Sequence, residues 1–360
     1  MIADPEDVPL YVGVDVHERE SQLAVFERSG SLLMEKRIPT SSLESFVSSL
    51  PGEKHVAVES VGFIYPIYDR LSRLPGCHVS VANPSGVGLI AKSRLKHDKA
   101  DAKVLGELLR TNFLPTSYMP DEETREERLL INDRVRYGTQ KGQLTASIKW
   151  LLKRRGIDVT NPFSTAGRGA LRDLHLREIG IRLDELRLVE SIIERLDAEI
   201  GCIVARNPKA KLLDTLPGVA GYTALFLSSE LGDVDRFPDS KHACAYLGLV
   251  PSLHQSGDAS FTGHITGTGN KWLRRNLVQC ARVAIRKDMH LREFYLRIRR
   301  KKGDKKAVIA VARKLASYAY WMLKRNQTYQ ELAPWSNPWG EEMNPRHMDR
   351  DAPGRGEEGI

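Results

Sequence analysis

The stretch from Leu10 to Val81 constrains the fold most. It opens with LYVGVDVH, in which Val12, Val14 and Val16 alternate with Tyr11, Gly13, Asp15 and His17. A period of two with β-branched residues on one side predicts a half-buried strand. SQLAVFE and LLMEKRI follow, with the turn RSG between them, and read as antiparallel neighbours. HVAVES and HVSVAN supply a fourth and a fifth strand, separated by FIYPIYDRLSRLPG, a helix closed by Pro-Gly. Three strands, then helix and strand in alternation, predict an α/β domain with a mixed sheet.

Two acidic residues sit where a sheet normally avoids them. Asp15 occupies the middle of the first strand and Glu59 ends the fourth. Asp is depleted in strands, and a buried carboxylate needs a partner. Two more acids head the segment LKHDKADAKVLGELLR, where Asp98, Asp101, Leu105 and Leu108 follow at helical spacing and share a face directed at the protein. Each acid has an ordinary explanation. Asp98 and Asp101 suit a helix N-cap and first turn, Asp15 suits an ion pair with Lys99 or Arg94, and Glu59 suits a strand-end cap. If the first and fourth strands are neighbours and the helix packs on them, the four carboxylates converge, and hard oxygen donors without His or Cys fit Mg²⁺ or Mn²⁺ rather than zinc. Requiring every ordinary explanation at once favours the metal reading. Two such ions would clamp the attacking and leaving oxygens of a phosphodiester.

Residues 121 to 200 change character. Leu and Ile recur at helical spacing amid dense charge, predicting two long antiparallel helices or coiled-coil arms broken at DVTNPFSTAGRG. Further on, LLDTLPGVAGYTALFLSSELGD has the pattern of a helix-hairpin-helix, whose turn at Gly218 would offer backbone N–H groups to a phosphate. Ala220 stands where many such hairpins carry a second glycine, and a plain helix-helix turn broken by Pro217 and Gly218 fits as well. The glycines at 257, 263, 267 and 269 predict an irregular loop, after which Thr268 or Asn270 caps a basic helix. Ser256, before Gly257, reads by itself as a turn residue. His254 and His264 are the nearby groups able to activate it.

Charge is uneven. Net charge is +8 overall, but Lys271 to Arg325 holds eighteen Lys or Arg against Asp288, Glu293 and Asp304, a balance of +15 that leaves −7 for the remainder. RIRRKKGDKK is the densest part, and Lys271, Arg274, Arg275, Arg299, Arg300, Lys301 and Lys302 are the candidate phosphate contacts. No apolar run approaches about 18 residues and no basic segment precedes an apolar one at the N-terminus, so a cytoplasmic protein without a membrane partner is expected. Cys77, Cys202, Cys244 and Cys280 are too dispersed for a zinc site or disulfide framework and are expected to be reduced.

YVGVDVH, VAVES and KHDKADAKVLGELLR resemble the RuvC-like DEDD domain of the IS110 insertion-sequence transposases, a family that also holds the Piv-type DNA invertases. Asp15, Glu59, Asp98 and Asp101 fall on the acidic positions, with D-x-x-D-A intact. The resemblance implies an RNase H-like fold and Mg²⁺-dependent phosphodiester chemistry, with Mn²⁺ as the alternative ion. The region around Ser256 is similar to the C-terminal serine domain of the same transposases, in which a serine in a Q-S-G or S-S-G setting is the nucleophile. Ser256 matches, and Ser252 is the competing candidate. In ITGTGN, Gly267 replaces the lysine of the family's I-T-K-x-G-N, which removes a phosphate or RNA contact.

The resemblance spans residues 11 to about 325. It implies a DNA transposase or recombinase that forms a transient phosphoserine link, acts as a homo-oligomer (dimer or tetramer) and is guided by a noncoding bridge RNA. The expected organisation is a RuvC-like catalytic domain at 8–120, a helical coiled-coil arm at 121–205, a mainly α-helical serine domain at 206–325 and a disordered tail at 326–360. Rival readings are a site-specific invertase, a hydrolytic junction-resolvase-like nuclease in which Ser256 is only structural, and a nucleic-acid-binding protein with a decayed site.

Overall fold

The structure, a computed structural model, describes residues 9–91, 101–256, 259–265 and 269–332, with the side chains of 89, 91, 101 and 251–265 outside the description. The chain divides into two compact units that meet between Met119 and Pro120 in sequence.

The first unit is built on strands β1 (Leu10–Val16), β2 (Glu20–Phe26) and β3 (Leu32–Pro39), then helix α1 (Leu43–Ser49), β4 (Lys54–Glu59), α2 (Ile64–Ser72), β5 (Cys77–Ala82), α3 (Pro84–Ala91) and α4 (Asp101–Arg110). The sheet order is β3-β2-β1-β4-β5, with β1–β2 and β2–β3 antiparallel and β1–β4 and β4–β5 parallel. A mixed sheet with β1 beside β4 is therefore present, and each strand expected from the sequence is found. On one face Val12, Val14, Val56 and Val58 meet Leu43 and Val47 of α1 and Ile64, Ile67 and Leu71 of α2. The other face carries small residues, Gly13, Ala24, Ala57 and Ala82, and α4 lies on it through Ala102 and Leu105. The strand period and the helix period thus each bury one side.

Two helices here were not expected from the sequence. α1 is only LESFVSS, with Leu43 and Val47 as its buried pair, too short to display a period. α3, PSGVGLIA, contains two glycines, which weaken a helical signal. The buried stripe of α4 also differs slightly from expectation: it is centred on Ala102, Leu105 and Gly106, while Leu108 stands at its half-buried rim.

The second unit begins with α5 (Glu122–Arg154), α6 (Thr165–Asp173) and α7 (Arg177–Val204). Asp121 starts α5 by accepting from the Thr124 N–H at 2.7 Å, which lowers its own pKa. Pairs between α5 and α7 run in opposite senses, Arg134 with Asp197, Lys141 with Glu190 and Ser147 with Arg182, so the two are antiparallel. Ile148 and Leu152 pack on Ile179, Leu183 and Leu186 between them, with Leu171 of α6 closing that core.

The chain continues through α8 (Pro208–Asp214), α9 (Gly221–Leu231), α10 (Ser240–Tyr246), strands β6 (Pro251–Ser256) and β7 (Ala259–Ile265), α11 (Lys271–Lys287), α12 (Met289–Lys302) and α13 (Asp304–Arg325). Leu213, Leu225, Leu277, Val311, Leu315 and Tyr320 belong to a single apolar core, and Ile131 of α5 and Ile200 of α7 join it. Packing extends past Arg325, since Tyr329 and Leu332 are buried in the same core. The region expected as an irregular loop instead contains the antiparallel hairpin β6–β7, with Gly263 inside a strand; backbone pairing overrides glycine's weak strand preference there. The four cysteines are free thiols, Cys202 exposed and the other three buried. No described helix is long and apolar enough to cross a membrane. The tail from residue 333 lies outside the described residues.

Candidate active site and nucleic-acid surface

The parallel register of β1 and β4 matches Val14 with Val58, one residue short of Asp15 and Glu59. The two acids thus stand at the same level near the C-terminal ends of neighbouring strands. Their face follows from alternation. A Cβ on Gly13 would lie 1.9 Å from the Ala102 carbonyl oxygen, and Ala57 packs with Leu105, so residues 13 and 15 and residues 57 and 59 all belong to the face that α4 covers. The direction of α4 follows from its other end. Arg110 donates from its guanidinium to the Arg28 carbonyl at 3.2 Å, in the turn between β2 and β3, beside the start of β1. α4 therefore runs antiparallel to β1, and its first residue, Asp101, lies towards the end of the sheet that carries Asp15 and Glu59.

Asp15 is only 6% exposed, and His17, two residues on along the same face, approaches its Oδ2 with Nε2 at 3.1 Å. A buried carboxylate is costly without a compensating charge, so the position favours a cation. Carboxylate oxygens are hard donors of the kind divalent ions prefer. Asp98 lies outside the described residues, as does the Asp101 side chain. Among the described residues no three His, Cys, Asp or Glu side chains gather closely enough to hold a metal. Asp15 and Glu59 are the described half of the expected quartet.

Ser252 and Ser256 both lie in β6, and Ser256 pairs with Ala259 across the hairpin end. The side chains of His254 and His264 are not described. Gly267 and Thr268 lie outside the described residues, and of the two expected caps Asn270 is the one seen: its Oδ1 accepts from the Trp272 and Leu273 N–H groups at 3.0 and 3.3 Å, and its amide donates to Glu230 Oε2 at 3.1 Å. Gly269 has φ +77°, and a Cβ there would meet the Tyr246 carbonyl oxygen at 2.3 Å. Gly269 and Asn270 thus fix the start of α11.

Gly218 has a packing reason of its own. Its φ is +80°, and a Cβ would sit 2.3 Å from the Cys280 carbonyl oxygen on α11. The tight turn between α8 and α9 is therefore pressed against another helix, which accounts for the glycine without a phosphate. The basic residues group on α11 and α12. Lys271 and Arg275 are exposed and Arg274 is half-buried, while Arg299, Arg300, Lys301 and Lys302 form the exposed last turn of α12, where positive charge also suits the helix dipole. Phe294 covers the half-buried Lys314 at 4.6 Å, and burial lowers the pKa of that ammonium, with Arg297 adding repulsion.

Known transposases resemble the chain along most of its length. A family model described as Transposase IS116/IS110/IS902 family matches residues 210–296, and a second transposase model, named for the DEDD motif and IS110, matches residues 12–155. The transposase for insertion sequence element IS1111A of Coxiella burnetii is 25% identical, over 89% of this chain and 91% of its own length. The transposase for IS1328 of Yersinia enterocolitica is 28% identical over 76% of the chain and 83% of its own. The pilin gene-inverting protein of Moraxella bovis is 27% identical over 77% and 82%. The chain belongs to the IS110/IS116 transposase family.

As an IS110-family transposase it is an enzyme of DNA strand transfer, with DNA as its substrate. All four acids lie within the first matched segment, and Gly218, Ser256, Lys271, Arg274 and Arg275 lie within the second. Arg299 to Lys302 lie beyond both. A DEDD domain implies use of a divalent metal. The sequence reading of the transposase missed two kinds of residue. Gly13 and Gly106 let α4 approach β1, and the clue was a glycine inside a run of valines. Glu230 holds Asn270 from forty residues away, and nothing local announces it.

Proposed function

We propose that this transposase exchanges DNA strands with a carboxylate-held divalent ion in the first unit and Ser256 in the second as nucleophile, on an RNase H-like catalytic domain. Asp15, Glu59, Asp98 and Asp101 would hold Mg²⁺, or Mn²⁺ in its place. The bound ion supplies Lewis-acid stabilisation of the charge that builds on phosphate oxygens. Ser256 Oγ forms a bond to phosphorus as a P–O bond to the sugar breaks, and the released sugar hydroxyl takes up a proton; a second attack by a DNA hydroxyl reverses the link on the new partner. Lys271, Arg274 and Arg275 neutralise flanking phosphates, and Arg299 to Lys302 extend that contact. The organisation that goes with this is a catalytic domain, a helical arm and a serine domain, in a cytoplasmic homo-oligomer guided by a noncoding RNA.

The observation that carries the reading is the β1–β4 register, one step short of Asp15 and Glu59, on the face under α4. The test uses labelled element-end DNA with Mg²⁺. Ser256→Ala is expected to abolish both strand exchange and the covalent protein–DNA adduct, while Ser252→Ala keeps both. Full strand exchange by Ser256→Ala removes the serine from the mechanism and leaves the hydrolytic alternative. Sequencing nucleic acid that copurifies with the protein tests the guide, for which one discrete transcript is expected. A second reading, a site-specific invertase with the same residues, is favoured by the pilin gene-inverting relatives of Moraxella bovis and Moraxella lacunata. The DNA beside the gene separates the two.

A further inference from the structure

The second unit carries a groove that the reading above does not use. It lies where α11 begins beside α5, has a volume of about 530 Å³, and is lined by Asn132, Val135, Arg136, Thr139, Gln140 and Gln143 of α5 and by Trp272 of α11. A further hollow of about 490 Å³ shares Gln140 and Gln143 and continues to Ser147 and Arg182. Along α5 the stripe from Asn132 to Ser147 rises about 22 Å. It is a track rather than a point.

The chemistry of the walls selects the occupant. Between Asn132 and Ser147 the polar part of the lining on α5 is amide and hydroxyl with the Arg136 guanidinium, set beside the apolar Val135 and Leu144, while α7 adds Ile181, Arg182 and the acidic Glu185 at the far end. Amides present a donor and an acceptor side by side, the pattern on the edge of a nucleobase. At the end of the track stands the half-buried ring of Trp272, with the Lys271 ammonium over it at 5.4 Å. Arg275, exposed one turn on, continues the cationic edge. An aromatic face, adjacent amides and flanking cations are the three parts that hold an unpaired nucleotide: a stack, an edge contact and phosphate neutralisation. A duplex offers no such base face.

We propose that this groove binds an unpaired segment of nucleic acid, one base stacking on Trp272 and its edge meeting the amides of Gln140 and Gln143. The inference rests on the functional reading only in taking nucleic acid as the partner; it needs neither the metal nor the serine.

The test is fluorescence anisotropy of the full-length protein with short labelled single strands of RNA and of DNA, the same strands made abasic, and duplex DNA. Trp272→Ala is expected to weaken base-bearing single strands about five- to hundredfold, to leave abasic strands and duplex nearly unchanged, and to keep the salt dependence, because the phosphate contacts remain. Trp272→Phe keeps most of the affinity. Trp272 also packs against the core, so the double variant Gln140→Ala with Gln143→Ala, on exposed positions, reads the site without a packing loss; about three- to tenfold weakening of base-bearing strands is expected. Preference for RNA identifies a guide strand and preference for DNA a substrate strand, and either supports the site. Equal weakening of abasic and base-bearing strands, or unchanged binding in both the tryptophan and the glutamine variants, overturns it. Asp15→Asn protein, measured both for Mg²⁺-dependent strand transfer and in the same binding assay, separates the two ideas: strand transfer that survives Asp15→Asn removes the catalytic proposal, whereas the groove is judged by base discrimination alone.

Discussion

Replacing Gly13 by alanine tests the geometry that brings α4 onto the sheet. The added Cβ would lie 1.9 Å from the Ala102 carbonyl oxygen and 2.4 Å from the Gly106 nitrogen. Both are helix backbone atoms, so no rotamer change relieves the clash. To restore an ordinary 3.4 Å contact α4 must retreat about 1.5 Å, taking Ala102 and Leu105 out of their packing. Overpacking of this kind costs about 1–3 kcal/mol, which for a unit of this size is a fall of roughly 4–12 °C in Tm. The larger effect is on rate. α4 begins with Asp101, and a displacement of about 1 Å in a reacting constellation costs about a hundredfold. Calorimetry of the full chain and an Mg²⁺-dependent strand-transfer assay read the two consequences separately. Gly106→Ala is the graded control, because its Cβ would meet the Phe26 ring edge at 2.7 Å, and a side chain can give way; Gly62→Ala, with nothing within 4 Å, is the neutral one. A Gly13→Ala protein with unchanged Tm and full strand transfer would refute the claim that close approach of α4 to β1 sets the site.

Four other outcomes follow from particular contacts. Asp15→Asn is expected to lower strand transfer by at least about a hundredfold, the upper end of what outer-shell partners of a metal cost, with little change in Tm; activity that persists with Mg²⁺ present counts against Asp15 as a ligand. Glu190, bonded first by Arg168 and then by Lys141, has its pKa lowered from 4.5 to about 2, so its stabilisation is complete above the unfolded value and fades as pH falls from about 4.5 towards 2. Urea titrations should therefore find Glu190→Gln about 2–3 kcal/mol less stable at neutral pH, with the gap to wild type closing in acid. Asn270→Ala removes the cap of α11 and should cost about 1 kcal/mol, measured by chemical denaturation. Replacing Arg299, Arg300, Lys301 and Lys302 together by alanine should lessen the slope of log affinity for duplex DNA against log salt by up to about 3.6 if all four touch phosphate; an unchanged slope means the last turn of α12 faces solvent.

Much of the first unit was legible because its signals are local. Alternation at Val12, Val14 and Val16 gives β1, and Asp15 stands out there because an acid in such a strand is anomalous. The pairing of β1 with β4 needed only the expectation of a mixed sheet. What escaped were α1, whose seven residues span less than two turns, and the role of Gly13, whose need for bare backbone arises from a helix some ninety residues on. The long helices were legible for the opposite reason: α5 and α7 repeat their Leu and Ile so often that one break between them is enough. The ion pairs that fix their antiparallel register were not, because Arg134 does not reveal Asp197 until the helices are laid together.

The serine half resists reading for a chemical reason. A carboxylate advertises itself by being expensive to bury, so Asp15 and Glu59 raise a question from their own positions. A serine hydroxyl is cheap anywhere, and its reactivity is conferred by neighbours brought from elsewhere in the chain. Ser256 therefore looks like a turn residue in isolation, and only likeness to other transposases singles it out. The nearby residues that do carry a physical signal are structural: Gly269, forced to positive φ against the Tyr246 carbonyl, and Asn270, tied to both α11 and Glu230. These anchor the start of α11. For the serine mechanism proposed above, the Asn270–Glu230 contact at the start of α11 is a place to disturb the region without altering Ser256 itself.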